Sequence, residues 1–197
     1  MPAITRYAAA ALVALSFCTG PALAQDVTDY LGVPGPITFD GTDYLLSWSS
    51  QPNAQYTKQE YVPAGQTVET YDSMIMVEFL ASELTPLQMA GAQANMLNER
   101  KATDPLVNMD IMQNDQTGEV LLDFIVSAKD EKGEYIVEWN GYRYASTQNA
   151  EGEAGGMLFA ISHRAYGNEA SQAFMSTLRD FKGTQITELS RAALPEL

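Results

Sequence analysis

His163 is the only histidine in the chain, and imidazole is the side chain best suited to moving a proton near neutral pH. The run from Met157 to His163 reads as a strand, which puts His163 on one face with Met157, Phe159 and Ile161 and beside Arg164. General-base catalysis there would need an orienting carboxylate and a nucleophile. The sequence carries no Gly-x-Ser-x-Gly elbow or comparable pattern. A hydrolase built from His163 and scattered carboxylates is therefore the second reading, and a histidine packed at the edge of the core is the first.

Metal chemistry has less to work with. One histidine and one cysteine, Cys18, cannot build a zinc site. The acidic turns around Asp115 and Asp130 lack the spaced oxygen ligands and distant glutamate of a calcium loop. Glu151 to Gly156 has no Gly-Lys-Ser/Thr and is negatively charged, so it is unsuited to a phosphate. Methionine offers the one metal alternative. Met74-x-Met76 shares a strand face and Met89 and Met96 share a helix face, and thioethers select Cu(I). Methionine is equally the filler of irregular cores. No cofactor and no metal is assigned.

The third chemical feature is aromatic. Glu134 to Thr147 reads EYIVEW, Asn-Gly, YRYAST. Asn140-Gly141 between two such runs predicts a β-hairpin with a type I′ turn. Trp139 would then face Tyr142, Val137 would face Tyr144, and Glu138 would pair with Arg143 on the opposite surface. Trp139, Tyr142 and Tyr144, with Tyr56, Tyr61 and Tyr71 upstream, form either a recognition surface or the core face of a sheet. Core is the favoured reading. The candidate recognition or site residues are accordingly Trp139, Tyr142, Tyr144 and His163, with no catalytic residue assigned.

These residues must be held by a frame, and the remaining patterns supply one. Ile37 to Phe39 and Tyr44 to Ser49 flank Asp40-Gly41, another hairpin pattern. Gln55 to Val62 stops at Pro63, and Ser73 to Leu80 alternates Ile75, Val77 and Phe79 against Met74, Met76 and Glu78. Thr85, Pro86 and Gln88 predict a capped helix start, with Leu87, Ala90, Gly91, Ala94 and Leu97 as its stripe. Val107 to Met112, Glu119 to Ser127, the two arms of the Asn-Gly hairpin and Met157 to His163 then make a five-strand meander. Asn168 caps a last helix with Ala170, Ala173, Phe174, Thr177, Leu178 and Phe181 inward, ending at Gly183. The fold class is α+β: an antiparallel meander sheet with two main helices packed on it. The order of elements resembles the small α/β/α sandwiches of the PsbP group. That resemblance covers element order alone and implies no activity or site residue.

The N-terminus predicts location. Arg6, the apolar run Tyr7 to Phe17 and Ala22-Leu23-Ala24 have the layout of a secretory signal peptide, residues 1–24, cleaved between Ala24 and Gln25. A lipoprotein anchored at Cys18 is the weaker alternative, because Phe17 is too large for the position before the cysteine. Residues 25–197 then form one domain in the periplasm or outside the cell. The net charge of −14 excludes nucleic acid and anionic membrane surfaces as natural partners. The function expected is an exported, soluble, non-catalytic domain of the bacterial envelope that binds a protein or small ligand.

Overall fold

The computed structural model describes residues 27–197. The signal-peptide reading, its cleavage point and the Cys18 alternative all lie outside the described residues. With a single cysteine in the sequence, the chain forms no internal disulfide.

Eight strands form one antiparallel sheet: β1 (Ile37–Phe39), β2 (Thr42–Asn53), β3 (Tyr56–Pro63), β4 (Ser73–Leu80), β5 (Asn108–Gln113), β6 (Val120–Lys129), β7 (Tyr135–Gln148) and β8 (Ala154–Tyr166). Their order across the sheet is β1-β2-β3-β4-β8-β7-β6-β5. Two four-strand meanders thus meet where β4 pairs with β8. Helix α1 (Pro86–Arg100) carries the chain from the centre to the far edge, and α2 (Asn168–Arg191) follows β8. The fold is the expected α+β domain.

Each helix takes one face. Ile75, Val77, Phe79, Trp139, Phe159 and Ile161 pack under Phe174, Leu178, Phe181 and Leu189 of α2. Met74, Met76, Leu122, Phe124, Tyr144 and Leu158 pack under Ala90 and Leu97 of α1. The period-two alternation along β4 and β6 therefore separates two cores, one above and one below the sheet. No described helix is long and apolar enough to cross a membrane.

The start of α1 matches its pattern. Thr85 caps Gln88 N–H, and Gln88 returns the bond to the Thr85 backbone at 2.9 Å. Pro86, Ala90, Ala94 and Leu97 are buried, whereas Leu87 is exposed and leaves the expected stripe.

The Asn140-Gly141 hairpin does not form. Both residues lie inside β7, and neither takes a positive φ. A Cβ at Gly141 would stand 2.9 Å from the Trp139 ring and 3.2 Å from Leu189. Glycine is there to make room for an indole and a helix, not to turn the chain. Continuous pairing of β7 with β6 on one side and β8 on the other outweighs the local turn preference. The expected five strands after α1 are four. The turn chemistry holds instead at Asp40-Gly41, where φ is +47° and +74° and β1 pairs with β2.

The last helix also departs from expectation. It runs through Gly183 to Arg191, and its N-cap is Gly167 rather than Asn168. Asn168 instead accepts a bond from the Tyr135 backbone N–H at 2.9 Å. The second half persists because Gln185 and Leu189 are buried. Arg143 holds its end, donating to the Leu189 and Ala192 carbonyls at 3.0 and 2.8 Å while paired to Glu119.

Candidate functional site

An uninterrupted β7 reassigns the aromatic residues. Side chains alternate, so Val137, Trp139 and Arg143 face α2, while Glu138, Asn140, Tyr142 and Tyr144 face the α1 side. The expected common face of Val137, Trp139, Tyr142 and Tyr144 is split between the two cores. Glu138 and Arg143, expected as partners, lie on opposite faces. Glu138 accepts from Arg164 Nε at 2.6 Å and from the Tyr71 hydroxyl at 2.8 Å, and Arg143 pairs with Glu119. Trp139, Tyr61, Tyr71 and Tyr144 are all buried, so the core reading of the aromatic set holds for them.

Trp139 nevertheless lines a cavity. Between α2 and strands β5 to β7 runs a cleft of about 800 Å³, within the size range of small-molecule sites. Its apolar wall includes Val107, Ile125, Trp139 and Leu178, and Met175 stands at the exposed rim. The Trp139 ring packs edge-on to Phe181 at 5.5 Å. Its indole N–H is buried with no hydrogen-bond partner among the described residues, a costly state for a donor out of water.

The cleft lining carries two acids and two bases, with Asp110 a further acid just outside it. Asp123 is 5% exposed, and Lys182 reaches across from α2 to bond it at 3.0 Å and Asp110 at 3.1 Å. Burial raises the Asp123 carboxyl above its ordinary range despite the Lys182 ammonium, and Asp110 adds to the rise. Burial works against the Lys182 ammonium, but Asp123 and Asp110 outweigh it and hold its pKa above the usual value. Arg179 and Asp180 add one charge of each sign to the lining. The cleft therefore favours a body that is apolar and uncharged.

His163 lies on the α2 side beside this aromatic group. It meets Phe181 edge-on at 4.7 Å, and it pairs in register with Ser73 and Trp139. Burial pushes its pKa down to about 4, opposed by Gln185, Asp40 and Asp72. No side-chain hydrogen bond joins His163 to Ser73 among the described residues. The Ser73 hydroxyl accepts from Tyr44 at 3.0 Å, and Gln185 donates to Asp40 at 2.9 Å. The methionines are dispersed: Met74 and Met76 are buried on the α1 side, Met157 is buried on the α2 side, and Met96 is exposed.

Sequence reasoning missed Asp123 and Lys182. An acid between Leu121 and Ile125 on an alternating strand was the available signal for Asp123. Lys182 lies beyond the expected inner stripe of α2, and nothing local marks it.

A sheet with one helix on each face, and an amphipathic cleft beneath α2, defines a three-layer α+β domain. A protein-family model matches residues 31–194, and the chain belongs to that family. No curated protein and no solved structure matches the chain.

Proposed function

We propose that this chain is an exported, non-catalytic binding protein of the bacterial envelope, and that the cleft under α2 holds its ligand. The observation that carries the reading is the open cleft walled in part by Trp139, whose indole N–H is buried without a partner among the described residues. A ligand with an apolar body and one hydrogen-bond acceptor would satisfy that donor. Because the lining charges cancel, the ligand is neutral. The hydrolase alternative is weaker, since His163 packs on Phe181 and its cross-strand serine is engaged by Tyr44. The copper alternative is weaker too, because the methionines are dispersed over both cores and the surface.

N-phenyl-1-naphthylamine, a neutral aromatic molecule without a strong acceptor, probes the apolar wall of the cleft. Its fluorescence should rise saturably on titration with the protein. Met175→Lys places a charge at the exposed rim and should weaken binding by about tenfold, or 1.4 kcal/mol. Unsaturable binding, or equal affinity in the variant, would contradict the cleft.

Export rests on the layout of residues 1–24, and it predicts a mature protein beginning at Gln25. Intact-mass analysis of material from the producing cell checks this. A diacylated species beginning at Cys18 would replace free export by membrane anchoring.

A further inference from the structure

The opposite face of the sheet carries a second hollow that the reading above does not use. Ala160 and Ser162 are small, fully buried residues on β8. In register they lie between Met74 and Met76 of β4 and Asn140 and Tyr142 of β7. Beside Ser162 lies a cavity of about 230 Å³, lined in part by Tyr71 from the turn before β4.

Its chemistry is unusual for the centre of a sheet. Asn140 is 1% exposed, and its Oδ1 accepts the Ser162 hydroxyl at 2.5 Å. Its amide nitrogen is buried with no partner among the described residues. Asparagine and serine stand side by side here, on the two most extensively paired strands, where apolar residues would pack without penalty.

The charged groups around the cavity are already paired, with three carboxylates against two cations. Lys58 lies 2.9 Å from Glu60 and 3.6 Å from Glu78, while Arg164 and the Tyr71 hydroxyl hold Glu138. What the site has to offer is a neutral donor, the Asn140 amide, with carboxylate oxygens and the Tyr142 phenol in the same wall. Tyr71, Tyr142 and Met76 supply flat or apolar surface.

We propose that this cavity is a binding site for a small, uncharged, polyhydroxylated molecule of the monosaccharide or cyclitol class. Hydroxyl groups both accept from the amide and donate to the carboxylates, which neither a simple anion nor a simple cation can do. The C–H face of such a ring lies well against tyrosine. The sheet separates this site from the cleft under α2, so the two proposals stand or fall independently.

The test is a titration of the isotope-labelled full-length protein by amide NMR. D-Glucose, D-ribose and myo-inositol are the neutral probes, with inorganic phosphate and L-alanine as charged comparisons. At least one neutral probe should shift the Asn140 side-chain amide resonances saturably. Tyr142→Phe, which removes one hydroxyl and keeps the ring, should weaken that probe about tenfold with an unchanged melting temperature. Asn140→Asp replaces the donor by an acceptor and should abolish binding; its folding is judged from its spectrum. Saturable shifts from phosphate or alanine alone, no saturable shift from any neutral probe, or full affinity in folded Tyr142→Phe protein would overturn the assignment.

Discussion

Trp139→Ala is expected to destabilise the domain by about 3–5 kcal/mol, the range for a large aromatic side chain leaving a core cavity. Trp139 is among the largest fully buried residues, and its ring meets Phe181 and fills the space kept open by Gly141. Leu189, on the far half of α2, packs in the same cluster, so the loss should reach the whole helix rather than one contact. The other tryptophan provides the comparison. Trp48 is 40% exposed on β2, and Trp48→Ala should cost about 1 kcal/mol or less. Urea midpoints of the two variants decide. Similar small shifts for both would mean that the indole of Trp139 does not anchor α2.

The second large effect is a pH dependence carried by His163. Burial lowers its folded pKa to about 4 against an ordinary 6.5, so the folded protein keeps the imidazole neutral where the unfolded chain protonates it. Between these values the unfolded state binds more protons, and stability rises with pH. The contribution is complete above pH 6.5 and is lost as pH falls towards 4, amounting to roughly 3 kcal/mol. His163→Gln should leave the fold intact near pH 7 and flatten this slope. Denaturant midpoints at pH 7 and 4.5 measure it. An unchanged slope in the variant would assign the titration to another group. Asp104 acts in a lower window. Its burial is outweighed by bonds from Ser127, Arg100 and Leu106, which hold its carboxyl below the usual 3.8. That stability is present above pH 3.8 and disappears as the carboxyl protonates below it.

Where a pattern was local and met no competing partner, it was legible in the sequence. The alternation of Ile75, Val77 and Phe79 against Met74 and Met76 sorted residues correctly into two faces. The Thr85 capping box placed the start of α1 to the residue. Asp40-Gly41 made the turn that its residue types favour. Asn140-Gly141 did not, although its dipeptide is the stronger turn former. The difference lies in long-range pairing: β6 and β8 flank β7 through both residues, and the glycine is needed by Trp139 and Leu189. Gly183 misled for a related reason. Leu189 and Gln185 bury themselves beyond it, and tertiary packing carries a helix through a single glycine that costs about 1 kcal/mol.

The site was less legible than the frame. Composition and alternation singled out Trp139, Tyr142, Tyr144 and His163, of which Tyr144 packs into the core under α1 and His163 against Phe181, and the false turn placed the three aromatics on one face. With β7 continuous, Trp139 falls to the cleft under α2 and Tyr142 to the polar cavity on the other side. The leader before β1 is tied to the sheet by bonds that no local pattern marks. Its backbone N–H groups at Tyr30 and Leu31 donate to the fully buried Gln59 at 2.7 and 3.1 Å, and the Tyr61 hydroxyl donates to the Val33 carbonyl at 2.6 Å. Pairings separated by nearly thirty residues leave no periodic trace in a sequence.

The central claim is that ligand enters the cleft against Trp139. Trp48→Phe leaves Trp139 as the sole tryptophan, and energy transfer from it to bound N-phenyl-1-naphthylamine measures proximity. The emission of Trp139 should fall saturably, in step with the rise of the probe. Saturable probe binding with undiminished Trp139 emission would place the ligand elsewhere and contradict the claim.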